Sequence, residues 1–224
     1  MRNMYLMTLL LCVLLCNVAF GQKLYDGTVK VKIDQEESTH PAMILIYDST
    51  AYFAAKMNIR GTDRYITGVE IDDKPRVYYM SSGGNDYTGG RDNKIHLKKN
   101  PGSTYTFSCK VELTTVVTDS TPVEKTKYTI TLGGIKVGNA TFCSFDYAGK
   151  KFGFTRFVYN GTTRYIAGML NGKYYKGVYV SSNKKNYYFG TETSGNNFVG
   201  GMIKEGSYAR QSFSLTATEV LVLQ

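Results

Sequence analysis

Side chains able to do bond-making chemistry are few in this 224-residue chain. His40 and His96 are its only histidines; they do not stand at metal-ligand spacing, and no paired-cysteine motif accompanies them. No Gly-x-Ser-x-Gly turn presents a serine nucleophile. From Thr121 onward the carboxylates are Glu124, Asp146, Glu192, Glu205 and Glu219, too sparse for an acid/base pair present in both halves of the chain. The residues therefore predict a non-enzymatic protein without metal or cofactor. Their remaining chemistry is recognition. Lysines alternate with tyrosines at "KYYKGVY" and "NKKNYYF", which places Lys173, Tyr174, Tyr175, Lys176, Lys184, Lys185 and Tyr187 within a short span. Ammonium groups attract anions, and tyrosine rings offer faces to sugars and bases. Along an extended strand Tyr174 and Lys176 share one face and Tyr175 turns to the other, so at most one of the two tyrosines is expected to join a surface site.

The pentapeptide "RYITG" at Arg64 to Gly68 returns as "RYIAG" at Arg164 to Gly168. Two readings stand. Ile packs a core, Gly admits a neighbouring ring or backbone, and Tyr covers the opposite face; or Arg64 and Arg164, with their tyrosines, are two equivalent contact points. Arg164 is accordingly kept among the candidate ligand-binding residues. A Gly-rich run, "GGNDYTGGRDN" from Gly83, lacks the stacked repeats a calcium-binding β-roll needs and reads as a loop.

These residues need a scaffold, and the repeat describes it. The match at an offset of 100 extends from Gly61, Thr62 and Arg64 through Tyr79, Ser81, Ser82, Tyr87 and Gly90 without an insertion. That length suits a doubled domain, not a short-period solenoid. Within each copy aromatic and β-branched runs are separated by turn residues. Asn160-Gly161 and Asn171-Gly172 predict two-residue hairpin turns, with Arg60-Gly61 and Asp72-Asp73 at the matching places in the first copy. The expected fold is all-β: two tandem, internally duplicated antiparallel β-sandwich or small β-barrel domains after a signal peptide. The divisions are 1–21 for the signal peptide, 22–117 for copy one, 118–126 for a polar linker containing Pro122, and 127–224 for copy two.

Arg2, the apolar run from Tyr5 to Leu15 and the small-x-small ending at Ala19 and Gly21 predict cleavage before Gln22. The apolar run is shorter than a spanning helix needs, so no membrane span is expected. The destination is extracellular, or periplasmic in a bacterium. There Cys109 and Cys143, the two cysteines beyond the signal, are expected to pair as one disulfide across the linker. Asn139 and Asn160 open Asn-x-Thr triplets and are candidate glycosylation sites.

Charge divides the halves. Gln22 to Ser120 carries 13 Lys and Arg against 13 Asp and Glu, whereas Thr121 to Gln224 carries 13 against 5, a balance of +8. Phe and Tyr number 10 in the first span and 18 in the second. The leading expectation is a secreted binding protein whose second copy recognises an anionic polysaccharide or glycan surface; nucleic acid is not expected. The alternatives are a structural coat or matrix protein, in which the repeats serve assembly, and a secreted hydrolase with a site of unfamiliar form.

Overall fold

The computed structural model describes residues 23–33, 36–59, 61–72, 74–81, 86–89, 95–96, 106–116, 121–182, 186–195, 197–204 and 210–222. Among these residues no helix is long and apolar enough to cross a membrane, and the ordered structure is all β. The first half supplies β1 (Lys23–Ile33), β2 (Glu36–Tyr47), β3 (Thr50–Ile59), β4 (Thr62–Ile71), β5 (Lys74–Ser81), β6 (Asp86–Gly89), β7 (Ile95–His96) and β8 (Thr106–Val116). The second supplies β9 (Glu124–Leu132), β10 (Ile135–Tyr147), β11 (Lys150–Tyr159), β12 (Thr162–Asn171), β13 (Tyr174–Ser181), β14 (Asn186–Ser194), β15 (Asn197–Lys204) and β16 (Arg210–Val222). The last three residues of the expected linker, Glu124 to Thr126, thus already belong to a strand.

Every pairing is antiparallel. The second half closes into an eight-stranded barrel in the order β10-β11-β12-β13-β14-β15-β16-β9, and the first runs as one sheet, β6-β5-β4-β3-β2-β1-β8-β7. Sequence pattern alone left sandwich and barrel open. The two neighbour orders correspond strand for strand. Among the described residues they differ at one seam: β14 and β15 pair from Tyr187↔Lys204 to Ser194↔Asn197, whereas the first sheet has β6 and β7 as its outermost strands. Coiling around the barrel is helped by β-bulges, where the register shifts between Lys136 and Gly138 on β10 and between Ala217 and Glu219 on β16. At the second shift the Thr218 hydroxyl donates to the Lys127 carbonyl at 3.1 Å.

Turn chemistry follows the predicted places with one change of register. Asn160 and Gly161 both take positive φ, as a type I′ turn demands. At the next hairpin Asn171 pairs with Tyr174, so the loop residues are Gly172 and Lys173 instead of Asn171 and Gly172. The hairpin joining β10 to β11 turns through Ala148 and Gly149, both at positive φ.

Strands at the centre of each half are buried on both faces, which explains their long apolar runs. Inside the barrel lie Ile130, Phe142, Phe157, Ile166, Tyr175, Tyr179, Phe189, Met202, Phe213 and Leu215. On the other face of β10 to β13, Cys143, Phe145, Phe152, Phe154, Ala167, Met169, Val178 and Val180 form one continuous core with Leu45, Tyr52, Ala54, Val69, Tyr78 and Met80 of the first sheet. Strands β4 and β5 face β12 and β13 there. The Tyr52 and Phe154 rings meet at 5.3 Å between centroids. Tyr65 donates its hydroxyl to the Ala148 carbonyl at 3.2 Å, Tyr147 donates to the Pro41 carbonyl at 3.1 Å, and Arg156 pairs with Asp48.

That arrangement corrects the disulfide expectation. Cys143 is a free, fully buried thiol. Strand β10 turns it into the core between the sheets, among the phenylalanines of β10 and β11, while Cys109 stands on β8 opposite Val31 of β1. Burial pushes the Cys143 thiol up to about 11, the behaviour of a packed apolar residue and not of a reactive cysteine.

Candidate functional site

The Gly172-Lys173 loop delivers the chain into β13 with Tyr174 on the outside of the barrel. In register across the outer face, Tyr174 stands opposite Glu192 on β14, and Glu192 opposite Val199 on β15. Tyr174 is 39% exposed, a high value for a tyrosine within a strand. The Lys173 Nζ lies 5.1 Å from its ring centroid and the Lys176 Nζ 5.6 Å from it. Both distances are within cation–π range. Lys173 also pairs with Glu192 at 3.0 Å, and the hydrogen bond to that carboxylate holds the ammonium pKa above its ordinary value. Beside Lys176, in register, lies the exposed Gly190, where an added Cβ would meet nothing within 4 Å. An aromatic face, two ammonium groups, one carboxylate and a stretch of bare backbone therefore share one solvent-facing patch.

Tyr175 is not part of it. Alternation turns this ring into the barrel, where it stacks on Phe189 with centroids 5.7 Å apart and its hydroxyl donates to the Gly153 carbonyl. The two glycines of the strands beneath make room for it. A Cβ on Gly153 would stand 2.4 Å from the Tyr175 oxygen, and one on Gly168 would stand 2.7 Å from the ring. Burial raises the Tyr175 pKa well above that of a free phenol.

The remaining candidates lie elsewhere. Arg164 pairs in register with Ser181, seven residues along β13 from Tyr174, or about 23 Å at ~3.3 Å per residue. Its guanidinium is 6.0 Å from the centroid of the inward ring of Tyr179, and its Nε is buried without a hydrogen-bond partner. Arg64 repeats the arrangement over Tyr79 at 5.8 Å. Tyr187 is in register with Tyr179 at that same far end, and Lys184 and Lys185 lie outside the described residues. So Lys173, Tyr174 and Lys176 come together, while Arg164 and the strand position of Tyr187 belong to the opposite end of the barrel. Asn139 and Asn160 are both exposed; the Asn139 side chain accepts from the Thr129 hydroxyl at 3.0 Å.

Glu192 completes the patch and was not singled out from sequence. Its only signal is its place opposite Tyr174, which depends on the length of the segment joining β13 to β14. No family model, curated protein or solved structure matches the chain.

Proposed function

We propose that this chain is a secreted, non-enzymatic binding protein that takes an acidic glycan on the outer face of its closed barrel, around Tyr174. One observation carries the reading: two ammonium groups, on Lys173 and Lys176, flank a single exposed ring. A pyranose can lay its C–H face on such a ring while its carboxylate or sulfate accepts from the ammonium groups and a hydroxyl donates to Glu192. The balance of +8 from Thr121 to Gln224 would steer a polyanion toward this half. Export is supported by the leader-like amino terminus. The reading also takes the two halves as one unit copied in tandem, supported by strand boundaries that recur at an offset of 100 in β3 and β11 and in β4 and β12.

The test is an array of neutral and acidic glycans probed with the full chain at two salt concentrations. Binding should favour the acidic members and weaken as salt shortens the Debye length, ~8 Å at physiological ionic strength. Tyr174→Ala should weaken it about tenfold, the scale of one lost stacking contact, and Lys173→Ala with Lys176→Ala, which removes both ammonium groups, at least about tenfold. Undiminished affinity in both variants would refute the site, and loss confined to Lys184→Ala with Lys185→Ala would move it to the sequence segment between β13 and β14.

A further inference from the structure

We infer that the mouth of the closed barrel holds a second binding site, for a small neutral phenol or a similar single-ring aromatic bearing one hydroxyl. This inference is independent of the outer-face reading. The site lies at the end where β9 begins and where β10, β12 and β14 turn into their successors. A cavity of about 140 Å³ opens there. Its inner wall is formed by Tyr128, Phe142, Phe198, Leu170, Leu215 and Gly153, and its polar groups are Ser144 and the pair Glu124 and Lys151.

An eight-stranded barrel is just wide enough to be filled by its own side chains or to hold one small ligand. Both conditions occur here at different depths. Tyr179, Phe189, Met202 and Phe213 fill the middle, and the mouth is left open. The walls of that mouth are already aromatic. Tyr128 meets Phe142 edge-on at 4.9 Å, and Tyr175 meets Phe198 at 5.0 Å. A void of this size suits a benzene-sized ring, as engineered cavities of ~150 Å³ do. Gly153 is a lining residue; at the corresponding position, 100 residues earlier, the first half carries the fully buried Phe53.

Polarity at the mouth sets the ligand class. Lys151 donates to Glu124 at 2.9 Å, so the two charges satisfy each other and present no net charge to an entering molecule. The Ser144 and Tyr128 hydroxyls can each donate and accept. Burial pushes the Tyr128 phenol up to about 12, so it stays protonated at neutral pH. One neutral hydroxyl on the ligand can join such groups, whereas a carboxylate must compete with Glu124 for Lys151.

Phenol itself is the probe, titrated into the full chain and followed by calorimetry and by NMR. Saturable binding is expected, with contacts from the phenol ring protons to the methyl groups of Leu170 and Leu215. Benzoate should bind at least about tenfold more weakly, a difference of ~1.4 kcal/mol. Ser144→Phe, which fills the cavity, should abolish binding, while Lys173→Ala with Lys176→Ala should leave it unchanged. No saturable binding, ring contacts elsewhere on the protein, or full affinity in Ser144→Phe would overturn the site; benzoate binding as tightly as phenol would overturn the ligand class. If Ser144→Phe does not fold, the ring contacts in the unaltered protein decide.

Discussion

The hydroxyl of Tyr175 reaches across the barrel to the carbonyl of Gly153, two strands away, and its ring occupies the space that a side chain at position 153 would need. In the first half the two corresponding positions hold Phe53 and Pro75. There the filling comes from the other member of the pair: a Cβ on Gly68 would stand 2.8 Å from the Phe53 ring. A ring closes over the "RYI-x-G" glycine in each half, Phe53 from the preceding strand over Gly68 and Tyr175 from the following strand over Gly168, where Phe189 also comes within 3.0 Å of a built Cβ. In both halves the glycine admits close packing that a side chain would block.

Substitutions at this pair should be coupled. Tyr175→Phe loses one buried hydrogen bond, about 1 kcal/mol, and Tyr175→Ala should cost ~3–5 kcal/mol by emptying the barrel. Gly153→Ala forces a methyl against the tyrosine oxygen, so its cost should shrink in the Tyr175→Phe background. Urea unfolding of the four proteins measures the coupling; additive losses would contradict the geometry.

The core between the sheets predicts that the halves unfold together. Phe154→Ala should cost ~3–5 kcal/mol and lower the midpoint of both halves in one transition. Asp48→Ala, which breaks the half-exposed pair with Arg156, should cost less than ~1 kcal/mol. Hydrogen exchange distinguishes the cases: loss of protection confined to β9 to β16 in Phe154→Ala would show that the shared core does not couple them.

Cys143 should be unreactive in the native protein. At neutral pH a thiol reagent is expected to label it only after denaturation, because it is fully buried and its thiolate is disfavoured. Intact mass without reductant should show no bridge between Cys109 and Cys143. Rapid native labelling of Cys143 would contradict its burial.

Alkaline pH should destabilise the fold. Folding raises the Cys143 pKa from 9.0 to about 11 and that of Tyr128 from 10.0 to about 12, in both cases mainly by burial. Between those values the folded state holds protons that the unfolded state has released, so stability falls as pH rises. The contribution is complete below pH 9 and is lost progressively up to about pH 12. Thermal melts across that range should show the decline, and Tyr128→Phe should flatten its upper part. A melting temperature constant from pH 8 to 11 would exclude this linkage.

Much of the scaffold was legible in the residues themselves. Strands and hairpin turns depend on nearest neighbours: Asn160 and Gly161 both tolerate positive φ, and the alternation in "KYYKG" already separates Tyr174 from Tyr175. The recurrence of "RYI-x-G" located matching strands because spacing along the chain is preserved wherever no insertion intervenes. Tertiary structure alone decided which edges meet. Closure of β9 to β16 into a barrel depends on β9, the first strand of this half, pairing with β16, the last, and long-range pairing of this kind leaves no mark in local sequence. The same holds for Glu192 beside Tyr174, for the cavity beside Gly153, and for Cys143, whose fate depended on the sheet packed against its strand. Composition told that the second half is basic and aromatic; only the folded chain sorted its described rings, some filling the barrel, some joining the two sheets, and Tyr174 facing solvent between two lysines.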